Sequence, residues 1–178
     1  IDAGGMAQIF EATNTELDER VALKLAHPVY RSNPELVARF RAEARALARV
    51  RSEHVGRVFD VVSTEAGDPV MVMELLEGEN LARLIAKRGL PAMEEVIGWA
   101  IETCGGLAVA HANGIVHRDI KPENIFIANV LGGRRTVKLL DFGISRLVLT
   151  GSGSSERRGR DPNASLKILG TPLYMAPE

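Results

Sequence analysis

His117-Arg118-Asp119-Ile120-Lys121-Pro122-Glu123-Asn124 decides how this chain is read. Asp119, Lys121 and Asn124 crowd one short loop between apolar, strand-like runs. Downstream, Asp141-Phe142-Gly143 follows directly on Val137-Lys138-Leu139-Leu140, which reads as a buried strand. Two acids and an amide at the ends of such strands suit a site that holds Mg2+ on phosphates. Mg2+ prefers oxygen ligands and keeps some of its water, so two protein ligands plus phosphate oxygens suffice. Taken singly, each of these residues reads equally well as a solvated turn residue.

Working outward, Val21-Ala22-Leu23-Lys24-Leu25-Ala26 is an apolar strand with one ammonium inside it. Asn33-Pro34 then starts a helix, with Asn as the cap and Pro at the first helical position. Leu36, Phe40, Leu47 and Val50 form its buried stripe. Glu43 points from that same face. A buried carboxylate is costly unless paired, and the nearest candidate partner is Lys24; two solvated charges or a structural ion pair are the plainer readings. The opening, residues 1–12, reads as strand, Gly4-Gly5 turn and returning strand. Strands are expected over 57–62 and 70–75 around the turn Gly67-Asp68-Pro69. A short helix over 80–88 closes at Gly89. A longer one over 91–113 stops at Gly114, with Met93, Val96, Ile97, Ala100, Ile101, Cys104, Leu107, Ala108 and His111 on one face. Gly98, Gly105 and Gly106 inside it suggest close packing, since each costs about 1 kcal/mol against Ala there. Short strands are expected at 115–116, 124–127 and 137–140, with a loop at 131–134. Residues 150–165 are rich in Gly, Ser and Arg and read as a loop.

A chain of 178 residues fits one domain or a large piece of one. Its 46% apolar and 25% charged content is globular, and a net charge of −1 argues against broad electrostatic binding to nucleic acid or anionic lipid. The single cysteine, Cys104, forms neither an internal disulfide nor a thiolate metal site. Cys104 and Trp99 read as helix packing, and His27, His54 and His111 make no metal-like cluster. No apolar run approaches the ~18–20 residues of a membrane span, and no leader-like segment opens the chain. The start at Ile1 and the end at Glu178, straight after Pro177, read as an excerpt.

VALK at 21–24, a helix carrying Glu43, HRDIKPEN at 117–124, DFG at 141–143 and GTPLYMAPE at 170–178 follow one another in order. This set resembles the eukaryotic-like serine/threonine protein kinase family, in its bacterial form. The resemblance implies an α+β, two-lobed fold. Residues 1–76 would be a β-rich N-terminal lobe with its regulatory helix and hinge; 77–178 would be an incomplete, mainly helical C-terminal lobe. It implies transfer of the γ-phosphoryl of ATP to a protein Ser or Thr, with Mg2+, or Mn2+ in its place. By resemblance, Lys24 holds the α- and β-phosphates and is positioned by Glu43. Asn124 and Asp141 bind the metal, Asp119 accepts the hydroxyl proton, and Lys121 steadies the phosphoryl group and bridges toward Thr171. Gly4 and Gly5 belong to the glycine-rich loop. Met73 is the gatekeeper, Glu74 and Leu76 offer backbone bonds to adenine, Ile9, Ala22 and Phe126 sandwich the ring, and Asn80 contacts the ribose. Leu47, Val58, His117 and Phe142 match an apolar stack linking the lobes. The resemblance also implies a cytoplasmic location for this domain, within a parent that membrane anchoring would not exclude. A protein substrate, self-association for autophosphorylation, no nucleic acid and no membrane segment in this chain complete its implications.

The glycine-rich loop departs from G-x-G-x-x-G: Asp2 and Ala7 stand at glycine positions, and only Gly4 matches. Asp2 puts negative charge near a phosphate site and restricts the backbone. Two other readings therefore stay open: a degenerate kinase serving as a nucleotide- or protein-binding module, and a small-molecule phosphotransferase of the same fold. GTPLYMAPE argues against the second. Arg118 before Asp119 resembles the subgroup switched by activation-loop phosphorylation. Ser152, Ser154, Ser155 and Ser165 are candidate sites, with Ser165 preferred by its spacing ahead of Thr171.

Overall fold

Strand β3 (Glu19–Ala26) organises the first half of the chain, because its alternating pattern gives it an inner face to cover. In this computed structural model, which describes residues 2–4, 7–26, 33–142 and 172–174, β3 lies between β2 (Ala7–Asn14) and β5 (Pro69–Glu74). With β1 (Asp2–Gly4) and β4 (Val58–Ser63) they form an antiparallel sheet in the order β1-β2-β3-β5-β4. Register pairs Ile9 with Lys24 and Lys24 with Met71, and Ala22 with Met73. Directly opposed residues, and residues two apart on one strand, share a face. Ile9, Ala22, Lys24, Met71 and Met73 therefore line one side of this sheet.

Helix α1 (Pro34–Leu47) starts where the sequence places it. The Asn33 carboxamide oxygen accepts from the Glu35 N–H at 2.9 Å and the Leu36 N–H at 3.4 Å. Its stripe of Phe40, Ala44 and Leu47 enters a core shared with Val50, Val55, Val58, Met71, Ala110, Leu139 and Phe142. That single cluster runs from the first sheet into the second half of the chain.

The second half holds β6 (Gly78–Asn80), β7 (Ile125–Asn129) and β8 (Arg135–Leu139), paired antiparallel in that order. Helices α2 (Leu81–Arg88) and α3 (Met93–Ala112) intervene. Leu84, Trp99, Ile127 and Val137 close a smaller core between them. The segment 51–57 joins the edge of β8: the Leu139 N–H donates to the His54 carbonyl at 2.9 Å, and the Gly56 N–H to the Leu139 carbonyl at 2.9 Å. Gly106 permits that approach, since a Cβ there would sit 2.8 Å from the His54 carbonyl oxygen.

Several expectations change. α3 runs 93–112, not 91–113, and buries Trp99, Gly106 and Ala110. Met93, Val96, Ile97 and Ile101 on its apolar face are exposed. Cys104 is exposed as well, so it does not pack a core as anticipated, and His111 is also exposed. Residues 115–116 are not a strand, because the chain there turns out of Gly114 into the 117–124 loop. Among the described residues no helix is long and apolar enough to cross a membrane.

Candidate active site

Lys24 is 8% exposed, set in the apolar centre of the first sheet, and its ammonium meets the Asp141 carboxylate. The partners lie 117 residues apart in sequence and come from the two halves of the chain. Asp141 follows the end of β8 with φ of +55°, a conformation uncommon outside glycine that swings the chain sharply after Leu140. Its side chain keeps 46% of its surface open. The Lys24 charge holds its carboxyl below the usual carboxylate range, against the opposing effect of burial.

Glu43 reaches the same region from α1. Among the described residues it forms no ion pair with Lys24, whose ammonium is given to Asp141. Burial pushes the Glu43 carboxyl up to about 8; Lys24 and then Arg118 oppose this, and Asp141 adds to it.

The 117–124 loop is built as a unit around two buried polar side chains. His117, 1% exposed, sets its Nε2 at 2.9 Å from the Leu140 carbonyl. Its Nδ1 accepts from the Asp119 N–H at 3.3 Å. That pattern fixes the neutral tautomer with the proton on Nε2, and burial lowers its pKa. The His117 ring packs on Phe142 with centroids 4.4 Å apart, and Leu47 and Val58 are buried in the same core as Phe142. Arg118 takes φ of +64°. Asn124, 5% exposed, donates from Nδ2 to the Asp119 carbonyl at 2.8 Å and to Asp119 Oδ2 at 3.1 Å. Lys121 Nζ lies 3.1 Å from that same Oδ2.

Asp119, Lys121 and Asn124 thus form one bonded group and Lys24 with Asp141 a second, near enough that the Lys121 charge also lowers the Asp141 carboxyl. The oxygen donors suit a hard divalent cation: the Asp141 carboxylate is partly open, and the Asn124 carboxamide oxygen accepts no hydrogen bond from the described residues. Met73 and Glu74 end β5, and Leu76 lies in the connection to β6. Asn80 pairs in register with Phe126. Its oxygen also caps α2 by accepting from the Arg83 N–H at 2.9 Å. Gly4 lies on β1, opposite Ala7. Gly5, Thr171, the candidate serines at 152, 154, 155 and 165, and nearly all of 170–178 lie outside the described residues. Sequence reasoning passed over one residue here: Lys138, whose Nζ lies 2.8 Å from Glu74 Oε1. The signal was available, since Lys138 interrupts an apolar strand just as Lys24 does.

A lysine from one sheet thus meets an acid at the end of the other, beside a loop of Asp, Lys and Asn. The protein kinase domain family matches residues 1–178, and the chain belongs to it. It is 39% identical over 176 residues to the serine/threonine-protein kinase Pkn1 of Myxococcus xanthus, covering 98% of this chain and 24% of that protein. It is 38% identical over 178 residues to PknL of Mycobacterium tuberculosis, covering 100% of this chain and 41% of that protein. The chain therefore spans less than half the length of these relatives. The crystal structure of the PknI kinase domain of Mycobacterium tuberculosis superposes with a TM-score of 0.70 at 24% identity, over 82% of this chain and 58% of that one. The two sequence relatives are bacterial serine/threonine-protein kinases, and the solved structure shows that this chain has the α+β kinase fold.

Proposed function

We propose that this chain is the catalytic part of an ATP-dependent serine/threonine protein kinase. The observation that carries the reading is the union of Lys24 with Asp141 across the two halves, beside the bonded Asp119–Asn124 pair. Residues 1–76 act as the N-terminal lobe with hinge, and 77–178 as part of the C-terminal lobe. Lys24 binds the α- and β-phosphates, and Glu43 takes its ammonium when the phosphates draw it off Asp141. Asn124 and Asp141 hold Mg2+, or Mn2+, which when bound neutralises phosphate charge. Asp119 accepts the proton of the substrate hydroxyl, and Lys121, close against it, counters charge on the transferring group. Thr171 bridges from the substrate side. Gly4 and Gly5 cover the phosphates. Glu74 and Leu76 bond adenine through their backbones behind Met73, while Ile9, Ala22 and Phe126 enclose it and Asn80 meets the ribose. Catalysis of this sort is positioning plus electrostatics. A protein Ser or Thr is the acceptor, a second copy of the chain serves as one such acceptor, and the domain works in the ATP-rich cytoplasm.

The test is phosphoryl transfer from labelled ATP by the full-length protein. Asp119→Asn is expected to lower the rate about a thousandfold or more while ATP still binds. A wild-type protein that binds ATP without transfer to itself or to any Ser/Thr substrate would make it a binding module instead.

A further inference from the structure

The two sheets are tied a second time, away from Lys24. Lys138 Nζ lies 2.8 Å from Glu74 Oε1 and 3.1 Å from Oε2. The side chains are 13% and 22% exposed. The same Oε1 accepts the Arg57 N–H at 2.7 Å, and the Glu74 N–H donates to the Arg57 carbonyl at 3.0 Å. Glu74 is the last residue of the first sheet on this path. The chain crosses at 75–77 and enters the second sheet at β6, where the Asn129 N–H donates to the Glu77 carbonyl at 2.7 Å. β6 pairs with β7, and β7 with β8, which carries Lys138. The ion pair therefore closes a ring of hydrogen-bonded elements around the crossing segment.

Register places this ring at the proposed adenine site. Asn80 opposes Phe126, and Phe126 opposes Lys138, so the three share one face of the second sheet. A largely buried ion pair contributes little net stability over apolar groups of the same volume. What it does supply is a fixed geometry, because both charges must stay together once out of water. We infer that Lys138 is a positioning residue for the nucleotide: through the Glu74 carboxylate it holds the 74–76 backbone at the height and angle that adenine requires.

This rests on the kinase reading, and the experiment separates the two. Steady-state transfer and equilibrium ATP binding are measured on the full-length protein. Wild-type binding and transfer test the kinase reading alone. Lys138→Met is expected to raise KM for ATP and the ATP dissociation constant about tenfold with kcat within about twofold, because adenine contacts bind ground and transition states alike. Lys138→Arg, which keeps the charge and two donors, restores KM. A merely structural pair would lower kcat and the active fraction together and leave KM of the folded enzyme unchanged, and that result overturns the inference. Should Lys138→Met fail to fold, Lys138→Gln, which leaves Glu74 and its bond from the Arg57 N–H in place, decides: a raised KM for ATP with kcat kept supports the positioning role, and a wild-type KM with a lowered active fraction refutes it.

Discussion

Lys24 stands between two carboxylates that arrive from different regions, and the two have opposite electrostatic fates. Glu43 comes from α1, on the face that also buries Phe40, Ala44 and Leu47. Asp141 comes from the turn after β8, with half its side chain open to solvent. One ammonium cannot serve both equally. Asp141 has it and its pKa falls; Glu43 lacks it, stays desolvated, and rises to about 8. A carboxylate's neighbourhood in sequence does not set its charge state. The partner it secures does. The sharpest way to break this contrast is to neutralise each acid in turn and measure transfer. Asp141→Asn is expected to lower kcat about a thousandfold, since in the proposed site that carboxylate would hold the divalent cation that neutralises the phosphates. Glu43→Gln is expected to cost about tenfold, as the loss of a group acting through Lys24 rather than on the reacting atoms. Equal losses would mean that Glu43 bears on the reacting phosphates as directly as Asp141 does.

The same contrast predicts opposite pH responses. Glu43 holds in the folded protein a proton that the unfolded chain releases near 4.5. Its contribution to stability is complete below about 4.5 and is lost as pH rises toward about 8. Asp141 behaves in reverse: its contribution is present above the ordinary 3.8 and is lost as pH falls through its lowered folded value. Urea midpoints measured against pH should therefore decline between 4.5 and 8 in the wild type, by on the order of a few kcal/mol in stability. Glu43→Gln should flatten that decline and leave the acid limb in place. Asp141→Asn should remove the acid limb and also shrink the decline, because it frees the Lys24 ammonium for Glu43 and takes away a charge that raises the Glu43 carboxyl. An unchanged slope in Glu43→Gln would remove Glu43 from its unpaired, desolvated position.

Much of this site was legible because its residues break local rules. A lysine in VALKLA and a glutamate on an apolar helix face are costly where they stand, and the cost points to a partner. The Asn33-Pro34 start was equally plain, because the cap is a local hydrogen-bond pattern. What stayed hidden depends on contacts distant in sequence. Which acid takes the Lys24 ammonium is settled by α1 and the 139–142 turn meeting in space. Strand β6, at three residues, is too short to show a period, and its pairing with β7 creates it. For α3, periodicity marked an apolar face correctly, but the face that packs on the described residues is the other one. Small Gly106 and Ala110 let the helix approach His54 and Leu139. Hydrophobic pattern says which side is apolar; close backbone approach selected the side that is buried. Lys138 carried the same signal as Lys24, and its partner, the last residue of β5, lay beyond any local pattern.

The smallest effect sharpens the comparison most selectively. The Asn33 side chain holds two otherwise open amides at the start of α1, those of Glu35 and Leu36. Asn33→Ala is expected to cost about 1 kcal/mol, the usual value of an N-terminal cap. The loss belongs to the helix that carries Glu43 and not to the turn that carries Asp141. Amide exchange should therefore quicken across 34–40 while the amides of β8 keep their protection. If Glu43 sits where it does only because α1 is pressed against the sheet, the loosened helix should admit water to its carboxyl. The stability decline between pH 4.5 and 8 should then shrink, without any change to Glu43 itself. A cap variant that lowers stability evenly at every pH would show instead that the sheet, and not the start of the helix, holds Glu43 in its desolvated place.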